Sequence, residues 1–205
     1  MSKSKLLFPL IVAVLLAGGV ESFGQTVPPA TKEHCDKLIA VLKSETSAKA
    51  EKAITCKKLA VFGSADAVPA LKPLLADKEL CSWARIALEA IPDTAAGKAL
   101  RNAVSELDGE LLIGVIHSIG VRGDRSAVEP LGVLLSNSDD SVASAAAWAL
   151  GSIATAETAI VALSGLEDAS PKVREALGDA CLRCAEAAQD HREAARLYHA
   201  IRRAE

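Results

Sequence analysis

Two cysteines three residues apart, Cys181 and Cys184, are the first place to look for chemistry in this chain of 205 residues. A Cys-x-x-Cys pair serves thiol exchange, haem attachment or half of a zinc site. Haem attachment needs His directly after the second cysteine, and residue 185 is Ala. A redox pair of the thioredoxin kind opens a helix that follows a strand, whereas this pair lies deep inside a helical pattern. A zinc site needs two more clustered ligands, and none stands at suitable spacing. The pair is therefore read as apolar filling. Cys35 and Cys56 flank the turn at 44–46 almost symmetrically, so antiparallel helices would bring them alongside each other. A disulfide there would staple the first hairpin, and buried free thiols are the alternative. His34, His117, His191 and His199 stand alone, and no Ser-His-Asp set, phosphate loop or carboxylate pair accompanies them. No catalytic, cofactor-binding or metal-ligating residue is named, and the expectation is a chain that is not an enzyme.

The elements that carry these residues are read as helical throughout. Half of the residues are hydrophobic but only 3% are aromatic, and Ala and Leu supply much of the apolar content. Strands usually draw more on Val, Ile and aromatics. Residues 1–24 are set apart from the fold. Lys3 and Lys5 precede an uncharged apolar run over 6–17, and Ser22 and Gly24 suit a cleavage site. That is the layout of a secretory signal peptide, and the run is short of the ~20 residues that span a bilayer. The expected location is thus periplasmic or secreted, with no membrane attachment after cleavage. Loss of Lys3, Lys5 and Glu21 takes the formal charge from −3 to −4. A mildly acidic exported chain argues against nucleic acid as a partner, which needs a concentrated basic surface. Residues 25–31 form a short linker around Pro28-Pro29, and the repeat domain runs over 32–205.

From residue 32 onward the chain falls into helix pairs. The expected first helices are 32–43, 65–76, 94–106, 126–135 and 156–166. The second helices are 47–62, 79–91, 110–119, 140–153 and 171–187, and a single helix follows at 191–203. Trp148 falls on His117 thirty-one residues earlier and on Asp179 thirty-one later, while Ala67-Val68-Pro69-Ala70-Leu71 matches Ala127-Val128-Glu129-Pro130-Leu131 two periods on. Two helices in a period near thirty are the mark of an α-solenoid.

Gly123–Leu135 followed by Val142–Ile153 carries the pattern Gly-Asp-x-x-Ala-Val-x-x-Leu, then Val-x-x-x-Ala-Ala-x-Ala-Leu-Gly-x-Ile. This is similar to the short bacterial HEAT repeat, including the HEAT-like repeats of phycobilin lyases. The resemblance is good over residues 60–185 and loose at both flanks. It implies a right-handed α-solenoid of about five antiparallel hairpins plus one terminal helix, acting as a binding scaffold. It does not carry over an activity. Hydroxylases built on this repeat hold iron with His-Glu pairs, and no His-Glu occurs in this sequence. A lyase-like enzyme with a bound cofactor stays as a less favoured alternative, and an N-terminal fragment or module of a larger exported protein as another.

If second helices line one surface, usually the concave one, the register names a strip for a protein partner. Val142, Ala146, Ala149 and Ile153 face the core, leaving Ser141, Ser144, Trp148 and Ser152 outward. The equivalent positions in neighbouring units include Arg85 and Glu89, His117, and Asp179 and Arg183. Trp and Arg are the residue types that most often carry binding energy, so Trp148 is the expected anchor. The other reading is that Trp148 folds over Ala-rich helix while the charges stay solvated. Trp83 aligns with core positions. Arg122-Gly123-Asp124 spells an adhesion tripeptide but falls where a connector needs a turn and a cap.

Overall fold

The structure, a computed structural model, describes residues 31–188 and 190–204. The segment at 1–24 expected to be a signal peptide, and nearly all of the expected linker at 25–31, lie outside the described residues. Every regular element described is helical. In chain order they are α1 (Lys32–Lys43), α2 (Lys49–Phe62), α3 (Val68–Leu71), α4 (Cys81–Ala90), α5 (Thr94–Ala103), α6 (Gly109–Arg122), α7 (Val128–Leu134), α8 (Asp140–Ile153), α9 (Ala156–Ser164), α10 (Pro171–Ala187) and α11 (His191–Ala204). Short 3-10 turns at Ala65–Ala67, Lys72–Ala76 and Arg125–Ala127 flank α3 and precede α7.

Local sequence sets most of these boundaries. Asp93, Asp124, Asp139 and Ser170 each cap a helix or 3-10 turn by accepting a backbone N–H two or three residues on. Pro171 follows Ser170 at the first helical position, where a missing N–H costs nothing. Gly123 ends α6 at φ 61, a left-handed position that suits glycine. Pro73 cannot donate to the carbonyl of Pro69 and its ring crowds that carbonyl, so α3 tightens into a 3-10 turn at Lys72.

The helices pack as an α-solenoid. Each second helix lies on the next along the row α2, α4, α6, α8, α10, and first helices meet as α1 with α3, α3 with α5, and α7 with α9. One core runs from Leu38 on α1 to Ile153 on α8, and a second joins α8 to α10 through Ala143, Ala147, Leu177 and Ala180. The expected core stripe of α8, with Val142, Ala146, Ala149 and Ile153, is buried. So are Cys181 and Cys184, the latter in contact with Thr158. Burial pushes the Cys181 thiol up to about 11.

The Cys35–Cys56 bridge is a correction. Cys35 and Cys56 form no disulfide with each other. Cys35 Sγ donates instead to the Phe62 carbonyl at 2.9 Å, and His34 meets the Phe62 ring edge-on at 5.4 Å. The turn offsets α1 along α2, so that Cys35 stands level with Phe62. Cys56 is six residues earlier, roughly 9 Å along the axis at 1.5 Å per residue. That offset exceeds the Cα separation a disulfide tolerates, about 7 Å. Trp83 is also less enclosed than its alignment suggests. It packs on the edge of the core with Lys57 Nζ 4.4 Å above its ring.

Candidate functional site

Successive second helices are tied by side chains whose partners lie about one repeat away. Arg85 on α4 turns toward α6, donating from Nη1 to the Gly114 carbonyl at 2.8 Å and to Ser118 Oγ at 3.2 Å. Gly114 makes this possible, because a Cβ there would stand 2.9 Å from the guanidinium. Ser118 is fully buried and donates to Glu89 Oε1 at 2.6 Å. Arg85 and Glu89 are thus joined through a hydroxyl of the following unit.

One helix further on, His117 rests against Trp148 with ring centroids 4.6 Å apart. The indole lies over Gly120, where an added Cβ would meet Trp148 Cζ3 at 2.7 Å. Arg183 on α10 covers the indole from the other side, 5.8 Å from the ring centroid, and its Nη1 reaches Ser152 Oγ at 3.5 Å. Arg85, Glu89, His117, Ser144 and Trp148 are half-buried, whereas Asp179 and Arg183 are exposed. The seven strip residues therefore share one row of helices but not one chemical state. Burial, and then the Arg85 charge, hold the His117 imidazole below its ordinary pKa of 6.5. A neutral ring can stack on Trp148 without adding a third cation beside Arg85 and Arg183. Ser144 Oγ is buried and has no hydrogen-bond partner.

Three participants escaped the sequence reading: Gly114, Ser118 and Arg122. Glycines inside a helical pattern, at 114 and 120, were the available signal, since such positions often mark close approach. Arg122 does more than a connector requires. Its Nη1 donates to the carbonyls of Leu88, Glu89 and Ile91 at 2.5, 2.9 and 2.7 Å, and its Nη2 donates to Asp93 at 3.2 Å. It plugs the carbonyl end of α4, where a cation also suits the helix dipole. Asp124 caps Ser126 and pairs with Arg101. All three residues of the Arg-Gly-Asp sequence thus serve the junction between units.

The arrangement offers binding surface and hydrogen-bonding groups. Among the described residues no cluster of three or more His, Cys, Asp or Glu side chains could hold a metal ion. Nor is any described helix long and apolar enough to cross a membrane.

The family model for HEAT repeats matches residues 97–181, from α5 into α10. Two solved structures are similar. One is the crystal structure of an engineered protein from the Northeast Structural Genomics Consortium, 20% identical, covering 83% of this chain and 97% of that chain with a TM-score of 0.48. The other is a designed armadillo repeat protein, also 20% identical, covering 83% and 90% with the same TM-score. No curated protein matches the chain. Over residues 97–181, where consecutive helix pairs stack through Gly120 and Gly151, the chain is similar to HEAT repeats.

Proposed function

We propose that the chain is an exported scaffold that holds a protein partner along its second-helix face, around His117, Trp148 and Arg183. A repeat scaffold of this kind suits interaction in general, because its surface is long and its interior is filled by helix contacts. The observation that carries the specific reading is the convergence of α6, α8 and α10 on one indole, with an exposed guanidinium above it. An aromatic ring fixed by neighbours on both sides loses little freedom on binding, which favours it as an anchor. Asp179, exposed one turn before Arg183, adds the opposite charge beside it. Export rests on the layout of residues 1–24.

Affinity capture on the purified chain, read by mass spectrometry, tests the surface. Arg183→Glu and Asp179→Lys are the variants of choice, since both side chains are exposed and neither fills the core. The expected result is loss of the same partner from both variants while their thermal melts match the wild type. An unchanged set of partners would sink this reading.

A further inference from the structure

We infer that the chain pairs with a second copy of itself through the stripe Arg174–Gly178–Leu182 on α10. This surface adjoins the strip around Trp148, and Asp179 lines both. In the inner units the equivalent stripes are covered by the next second helix. Leu112, Ile116 and Gly120 on α6 are buried, with Gly120 against Ala149 of α8. Thirty-one residues later, Ala143, Ala147 and Gly151 on α8 are buried, with Gly151 against Ala180 of α10. A further thirty-one residues on stand Arg174, Gly178 and Leu182, lining an open groove of about 360 Å³ floored by Leu166 and Ile201. Leu182 is 37% exposed. Among the described residues Gly178 has no close packing neighbour, for a Cβ there would meet nothing within 4 Å. A glycine inside a helix destabilises it against alanine, and here nothing described offsets that loss. The groove has the register of a helix-docking stripe that no second helix covers among the described residues.

Charge selects the occupant. By helical spacing Glu175 and Glu186 lie on one side of the stripe. Helix α11 packs on the other side, where Leu197 meets Cys184 and Ala185. It carries exposed Arg192 and Arg196. A two-fold axis running along α10 sets the two α10 helices side by side and parallel, as α8 and α10 already are within one chain. The acidic side of each copy then faces the basic α11 of the other, twice over, which is the self-complementarity an isologous contact needs. Leu182 and Gly178 sit at the centre, where small and apolar residues allow close approach.

Sedimentation velocity on the full chain tests this without any other ligand. The wild type is expected to form a dimer that weakens with salt. Leu182→Glu and the pair Glu175→Lys/Glu186→Lys are each expected to raise the dissociation constant about tenfold or more. Adding Arg192→Glu/Arg196→Glu to the second variant is expected to restore association, because the charges are exchanged and not lost. All these side chains are exposed, and matched circular dichroism melts check that each variant is folded. A wild type that is monomeric at ~100 μM, well above a micromolar dissociation constant, overturns the inference. So does a dimer indifferent to Leu182→Glu or to the charge exchange.

Discussion

Helices α7 and α8 belong to one pair and come from one repeat, yet they are built differently. The second helix, α8, runs for 14 residues and buries nine of them. The first, α7, runs for seven and buries two, Val128 and Leu131. The same contrast holds two pairs earlier in the register, where α3 is four residues long and gives way to a 3-10 turn. Proline explains part of it, since Pro69, Pro73 and Pro130 all fall in first helices. Spacing explains the rest. Gly120 and Gly151 let the second helices approach so closely that a Cβ would stand 3.0 and 2.7 Å from a neighbouring Cα. Cohesion between units is therefore concentrated in the second-helix row, and the first helices serve mainly to return the chain.

The harshest test of that division is Gly151→Leu, which drives a side chain into the backbone of Ala180. A loss of about 3 kcal/mol or more is expected in urea unfolding, because neither helix can yield without moving its unit. A loss below about 1 kcal/mol would mean that the row is looser than its geometry indicates. Next comes Arg122→Ala, which leaves buried carbonyls at the end of α4 without donors. About 2 kcal/mol should be lost, and amide exchange should quicken first in the last turn of α4. Uniform quickening across the molecule would deny Arg122 its local role. The smallest effect is expected in the first-helix row, at Gly132→Ala on α7. The new methyl meets only the tip of Val161, 3.0 Å away. Gain in helix propensity offsets the crowding, so the net change should stay within about 0.5 kcal/mol. A large loss there would erase the distinction between the rows.

Much of this architecture could be read from residue types alone. The bounds of α8 and α10, the buried stripe of α8 and the half-buried positions 141, 144, 148 and 152 all follow from helical period and caps. What period cannot reveal is the direction in which a long side chain turns. Arg85 occupies an outward position but folds inward, because Gly114 opens a seat for it on the adjoining helix. Cys35 and Cys56 failed for a related reason. Their positions about the turn fix which helices they occupy, whereas the slide of one helix along the other depends on the geometry of 44–48. Ala154 ends α8 at φ 48 with a residue type that gives no warning of a left-handed stop. The strip around Trp148 was legible as a row of positions, and its sharing into hydrogen-bonded, stacked and free side chains was not.

The reach of Arg122 also bears on how the chain comes together during synthesis. Helix α4 is complete in sequence by Ala90, and a unit boundary at Pro92-Asp93 looks like a natural place to cut. Yet the donor that closes its carbonyl end is made 31 residues after Ile91. As the chain grows, α4 waits with a frayed end until the following pair has emerged. A deletion or transplant of units must therefore keep α4 together with α6, because the working module is staggered against the visible hairpins.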